Sequence, residues 1–404
     1  MLKKLHLNKF WPFIIILILV AIFFGKTLIP PSGSIIYGGD LSDQFFFWKS
    51  FYIDNIKNGI IPFWNPYSFS GTPFLSHPSV AAFYPLNFIF FIFPINVAFS
   101  VFLYIHVVLG GIFMYLLCRK YTEKIPSLSA AVVFSLSGLM ASRIYAGHID
   151  IISTYIWIPA FFWSISNALE NYKKKYIFLS ILFLTLQILA GYQAVVIFTL
   201  ELIFIYHLVL TIIDRKNIFK KLISFILIVL ISFGISAIQL LPTIEFVKNS
   251  IRGQGLPYEL LIWGSYTKEM FLLFAQPFKY GIPFPENYTY YGPGPNFFEL
   301  SYFAGIIPLF LFIGFILYQV FLLVRKRKID KRFMGLVAAL IFFLLVAMGN
   351  NTPLHRILYD TIPLYKLFRI PSQHLMIGVF IIALVTSFSL MLVKNKILQI
   401  VIFI

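Results

Sequence analysis

The sequence predicts an all-α polytopic membrane protein of about ten to eleven transmembrane helices joined by long extracytoplasmic loops. Three observations predict it. First, 60% of the 404 residues are hydrophobic, 19% aromatic and only 12% charged, which is not the balance of a soluble domain. Second, about ten runs are long and apolar enough to span a bilayer, which takes about 20 such residues. Third, the charge is placed by topology. Of 32 Lys and Arg, 21 fall in the short segments 1–9, 119–124, 170–175, 214–221, 325–332 and 394–396, which carry only four acids and hold all of the net +17. These basic segments occupy alternate connections, as the positive-inside rule requires. The excess charge therefore reads as membrane orientation and excludes a nucleic-acid-binding surface.

The predicted spans are 10–29, 97–117, 127–142, 151–169, 176–191, 194–213, 219–241, 299–323, 333–349 and 374–393, in one polytopic domain. The N-terminus is expected in the cytoplasm. Residues 30–96 and 242–298 then form two long extracytoplasmic loops, and 350–373 a shorter one. Span 10–29 is too long for a signal-peptide core and lacks a small-residue cleavage site, so it is expected to stay as an anchor. After Lys394 and Lys396 comes ILQIVIFI, which as a helix rises about 12 Å against a hydrocarbon core of about 30 Å. The expectation is a truncated eleventh span in a fragment of a longer protein. The lone Cys118 excludes an intrachain disulfide and a Cys-based metal site.

The first long loop, YGGDLSDQFFFWKSFYIDNIKNGIIPFWNPYSFSGTPFLSHPSVAAFYPLN, is the part that membrane filler does not explain. Acids and irregular backbone at a lipid boundary are costly unless they face protein, water or substrate. Asp40 sits on a Gly38-Gly39 turn about ten residues past the first span, with Asp43 three residues on. Within 44–58, apolar residues at 45, 48, 52 and 56 form one stripe, with Lys49, Asp54 and Lys57 around the rest. That spacing predicts an amphipathic helix lying flat on the outer membrane face, with Ser42 as N-cap and Gly59 as stop.

A set of ordered motifs follows. They are D-L-x-x-Q (Asp40 to Gln44), P-x-W-N-P-Y (Pro62 to Tyr67), G-x-P-F (Gly71 to Phe74) and Y-P-L-N (Tyr84 to Asn87). Further on come S-G-L-x-x-S-R-x-x-x-G-H (Ser137 to His148), L-P-T-I-E-F (Leu241 to Phe246), E-L-S-Y-F-A-G-I-I-P-L (Glu299 to Leu309) and F-R-I-P (Phe368 to Pro371). Together they cover essentially the whole chain, which resembles the YfhO-type bacterial membrane proteins, relatives of the GT-C integral-membrane glycosyltransferases. The resemblance implies a GT-C-like fold and a polyprenyl-phosphate sugar as donor. It implies an active site at the extracytoplasmic face with a first-loop Asp as catalytic base. One departure is that Gln373 and His374 follow F-R-I-P in place of a second basic residue, so no two-arginine phosphate clamp is implied.

Sugar transfer from a lipid phosphate needs a base for the acceptor hydroxyl and positive charge for the departing phosphate. Asp40 is the catalytic candidate, with Asp43 either sharing the site or capping the next helix. Arg369, then Arg252 and Arg143, are the phosphate candidates, since arginine's planar fork suits phosphate oxygens. Each could equally reach lipid headgroups. Gln44, Trp64, Asn65, His77 and His148 complete the substrate-binding candidates. Trp64, Asn65 and Tyr67 could stack on and bond a sugar, or simply form a rigid turn. No metal-ligand spacing such as HExxH occurs, and a divalent ion on Asp40 or Asp43 stays open. The acceptor is a wall polymer, glycolipid or protein. Two other readings compete: a lipid-sugar flippase or transporter, for which Glu201 is the one acid deep in a span, and a non-catalytic scaffold for envelope assembly.

Overall fold

The computed structural model describes residues 2–284, 288–293 and 296–403. Among the described residues its regular secondary structure is helical, apart from a two-stranded antiparallel ribbon pairing Trp64–Asn65 with Thr72–Pro73. Among the described residues, eight helices are long and apolar enough to cross a membrane: Phe10–Leu28, Ile95–Arg119, Lys124–Ala146, Ile149–Asn171, Gln193–Asp214, Ile218–Ile235, Ile306–Val324 and Pro371–Met391. Two further apolar helices, Lys174–Leu189 and Lys331–Ala347, are shorter at 16 and 17 residues.

The chain packs as two compact units, each built from three segments. The first comprises Met1–Lys120, Arg143–Val196 and Phe219–Ser250, and the second Tyr121–Ser142, Ile197–Ile218 and Ile251–Ile404. In the first unit, Ile95–Arg119 packs on Trp157–Asn171, which turns back into Lys174–Leu189. Tyr172 makes that turn in the left-handed region, its N–H bonded to Ala168 O. Trp157 stacks on Phe183 at 5.8 Å and lies 5.4 Å from Phe113, so large rings fill the helix junction. In the second unit, Leu375–Met391 is apolar all round and buried from Leu375 to Leu390, as a helix without a polar face should be. Lys124–Ser135, Ile306–Val324 and Lys331–Ala347 surround it. The peripheral helices Ile218–Ile235 and Ile306–Val324 leave most of their apolar surface exposed, as lipid-facing helices do.

Two long apolar helices are broken, and both breaks lie near the motif residues. The predicted span 127–142 is interrupted after Ser135, and Ser137 restarts the helix by accepting the Met140 N–H at 3.2 Å on its hydroxyl. The following helix is parted at Ile156, between Ile149–Tyr155 and Trp157–Asn171. Between these two pairs lies Gly147, at φ +82°.

Two local expectations need correcting. Ser42 is not an N-cap: a π-helical turn, Leu41–Phe45, leads into Phe46–Lys57, and the Ser42 hydroxyl donates to Gly38 O and Gly39 O. The loop helix is not a simple amphipath with a wet polar face. Trp48, Phe51 and Tyr52 pack on Phe74, Leu75, Val80 and Ala82, so the returning loop covers the helix. Lys49, expected on the polar side, is buried. Ile370 departs from its local preference. A following proline favours an extended conformation there, yet Ile370 sits at φ +67° with its N–H on Leu261 O at 3.1 Å. That tertiary bond and the turn beginning at Pro371 hold a β-branched residue where local sterics oppose it.

Candidate active site

The Gly38-Gly39 turn lies against Gly147. A Cβ on Gly38 would stand 2.7 Å from the Gly147 Cα, so the two backbones meet where no side chain fits. The Leu41 backbone fills the corresponding place at Gly147. This contact sets the residue after one glycine beside the residue after the other. Asp40 Oδ2 lies 3.2 Å from His148 Nε2. On the far side of the ring, Arg143 Nη1 lies 3.1 Å from His148 Nδ1. A guanidinium can only donate, so Nδ1 is the acceptor and the imidazole proton sits on Nε2, donating to Asp40. Arg143 is 1% exposed and the largest fully buried side chain in the chain's described part, so the orientation of the ring is fixed from inside. The Asp40 side chain stays 60% exposed.

A second carboxylate joins this group. Asp150, buried at the start of its helix, accepts the Ile151 N–H at 2.8 Å and a hydrogen bond from the Ser79 side chain, and it feels the charges of both His148 and Asp40. Beneath it, the buried Lys49 ammonium donates to Val80 O and to Asn87 Oδ1, each at 2.9 Å. Burial lowers the Lys49 pKa from 10.5 to about 7, with the Asp150 charge opposing the shift. The Y-P-L-N motif is thus part of the support: Asn87 holds Lys49, and the Tyr84 hydroxyl takes the Trp157 indole N–H at 3.0 Å.

A lowered lysine pKa has a definite sign. Between about pH 7 and 10.5 the unfolded chain binds a proton at Lys49 that the folded chain has lost. Folding stability should therefore rise with pH across that window and level off on either side. Lys49→Met should flatten that rise. Thermal unfolding of both proteins in detergent at pH 7 and pH 9.5 measures this, and parallel rises would mean that Lys49 is protonated throughout.

The other candidates distribute unevenly. The Asp43 side chain is exposed and lies 3.2 Å from the Ser42 hydroxyl oxygen, apart from the Asp40–His148 pair. Gln44 is half-buried in the π-helical turn. Asn65 is buried as a turn former, accepting the Tyr67 N–H at 3.0 Å and donating to the Ser68 hydroxyl at 3.3 Å. Trp64 is exposed across the ribbon from Gly71. The His77 ring lies between Trp48 at 4.7 Å and Phe246 at 5.5 Å. Among the described residues no group of three His, Cys, Asp or Glu side chains is placed to hold a metal ion.

Arg252 and Arg369 belong to the second unit. Arg252 donates to Leu367 O at 2.9 Å and so braces the segment before F-R-I-P. Arg369 is exposed and lines a small cleft with Ile197, Phe198, His355, Tyr365, Phe368, Pro371 and His374. Beside this cleft, the Tyr365 hydroxyl donates to Glu201 Oε1 at 2.5 Å. Burial, then the Glu201 carboxylate, pushes the Tyr365 hydroxyl well above the ordinary tyrosine range, so it remains a donor. Burial lowers His355 to about 4, leaving it neutral at pH 7. Glu201 thus has a hydrogen-bond partner that sequence reasoning did not foresee.

Sequence reasoning missed Asp150, Lys49, His355 and Tyr365. Asp150 had a visible signal, an acid two residues after His148 at a helix start. For Lys49 and the cleft, only the tertiary fold supplies it.

With this geometry in place, comparison with solved structures is informative. Over 96% of its length the chain superposes on the archaeal oligosaccharyltransferase AglB from Archaeoglobus fulgidus in complex with an inhibitory peptide and a dolichol-phosphate, with TM-score 0.55 and 15% identity. The fold is GT-C-like. The apo form of the Archaeoglobus fulgidus oligosaccharyltransferase gives TM-score 0.54, again at 15% identity and 96% coverage of this chain. The chain spans 51% of each of those proteins. No family model and no curated protein matches it.

Proposed function

We propose that this chain is a membrane glycosyltransferase that moves a sugar from a polyprenyl-phosphate donor to an extracytoplasmic acceptor. The observation that carries the reading is the Asp40–His148–Arg143 chain, built where two glycine backbones touch. His148 holds one Asp40 oxygen and leaves the other for an acceptor hydroxyl. In the transfer step, Asp40 takes the hydroxyl proton as the acceptor oxygen bonds to the anomeric carbon. The bond from that carbon to the phosphate oxygen breaks, and polyprenyl phosphate leaves with the electron pair. Arg369 is assigned to the phosphate.

The GT-C-like fold supports this reading, as does the dolichol-phosphate and peptide bound in the AglB structure. The YfhO-type motifs agree with it, and a wall polymer, a glycolipid or a protein would serve as acceptor. Sugar analysis of envelope polymers from cells with and without the gene tests the function: one sugar should disappear, and an unchanged profile would contradict it. The assigned orientation, N-terminus inside, is tested by labelling. Ser32→Cys should react with an impermeant reagent from outside and Lys173→Cys only after permeabilisation. The reverse pattern would move the site to the cytoplasmic face.

A further inference from the structure

From Asn58 to Cys118 the chain contains no Asp, Glu, Lys or Arg. The first part of this stretch is a loop with a short ribbon and not a helix. Its apolar side chains point outward: Ile60, Ile61, Phe63 and Trp64 are more than half exposed, and Tyr67 and Phe69 are 85% and 96% exposed. A contiguous apolar surface of this kind marks an interaction site. We infer that the ribbon loop 60–73 is a membrane-dipping element, whose aromatic tip inserts into the headgroup boundary of the bilayer that the chain spans.

Three features favour lipid over a soluble partner or a glycan. The first concerns the backbone. A segment entering a low-dielectric interface must satisfy its own N–H and C=O groups. This loop bonds Tyr67 N to the Asn65 side chain, Gly71 N to Ser68 O and Phe74 N to Phe63 O, besides the ribbon itself. The second is what the tip lacks. It carries no charged side chain, and its one side-chain amide, Asn65, is buried and committed to the turn. The third is continuity. The same uncharged stretch runs on through the exposed Phe88 and Ile92 into the spanning helix Ile95–Arg119. Trp and Tyr beside a span are the residues that settle at membrane interfaces.

The loop is also held firmly enough to act as an anchor. Gln239 Nε2 donates to Leu75 O at 3.0 Å and the Thr243 hydroxyl to Ser76 O at 2.9 Å, tying its base to the helix Ala237–Lys248. Insertion of the tip would thereby fix the depth of the first loop, including Asp40.

The test places a dye at the tip. Ser70, exposed and already at positive φ, is replaced in a Ser70→Cys, Cys118→Ala protein labelled with an environment-sensitive nitrobenzoxadiazole. The protein is studied in phosphatidylethanolamine–phosphatidylglycerol nanodiscs, where both faces are open to solvent. The expected result is blue-shifted emission, loss of most intensity to a lipid carrying a nitroxide near its headgroup, and protection from aqueous cobalt. Emission as red as the free dye, with full quenching by cobalt and none by the nitroxide lipid, would overturn the inference. Protection that appears only on adding a soluble oligosaccharide would overturn it too, and would make the tip a glycan platform. Because the substitution lies on an exposed turn, misfolding is detected separately as loss of monodisperse protein.

Discussion

Asp40→Asn should lower sugar transfer by roughly 10²–10⁴-fold while expression and thermal stability stay close to wild type. Asparagine has the shape of aspartate, and its amide oxygen can still accept the His148 Nε2–H, so the Gly38–Gly147 contact and the imidazole orientation survive. What disappears is the ability to take a proton. Asp40→Ala should be at least as slow. Because the side chain is 60% exposed, its removal leaves no buried cavity to destabilise the fold. A transfer assay in membranes, normalised to protein by immunoblot, separates the outcomes. Wild-type rates in both variants would leave Asp40 as a solvated turn residue.

Arg369→Ala should slow transfer by roughly 10²–10³-fold, the loss expected when one preorganised charge on a leaving group is removed. Arg369→Lys should fall between, because lysine restores the charge without the planar fork. The local structure explains why position matters here. Arg369 stands next to Ile370, which is held at φ +67° by Leu261 O, and Arg252 braces Leu367 on the other side. A left-handed β-branched residue costs about 1–3 kcal/mol and persists only where its surroundings over-determine it. The segment is therefore stiff for a different reason from the extended geometry that Pro371 suggests. Steady-state transfer at varied donor concentration distinguishes the roles. A fall in kcat marks contact with the developing phosphate charge, and a rise in KM alone marks ground-state binding. Unchanged kinetics for Arg369→Ala would remove the assignment.

Much of the fold was legible because membrane physics leaves few alternatives. Apolar runs separated by basic segments have to become spans, so an all-helical architecture follows, while the GT-C-like arrangement was implied only by the motif resemblance. In the site, Asp40 stood out as an acid on a Gly-Gly turn and His148 as the residue after Gly147; their contact joins two separately noticed motifs. Lys49 was not legible. On a helical wheel it belongs to the polar side, and only the returning loop, which supplies Val80 O and Asn87, turns that side into interior. Asp150 was passed over because it falls at the edge of a predicted span, where an acid looks like a boundary marker. The cleft at Arg369 could not be read either. Its walls come from residues 197–198, 355, 365 and 374, and no local pattern relates them. For Asn65 both sugar contact and a rigid turn were open from the sequence, and the structure shows its side chain bonded within the turn.

The most direct test of the account is release of polyprenyl phosphate from a polyprenyl-phosphate sugar by the purified protein in nanodiscs, with acceptor supplied, for wild type and Asp40→Asn. The account predicts acceptor-dependent release by wild type and its near abolition in Asp40→Asn, with both proteins equally folded. Equal release by the two proteins, or none by wild type with any donor and acceptor drawn from its own membranes, would contradict it.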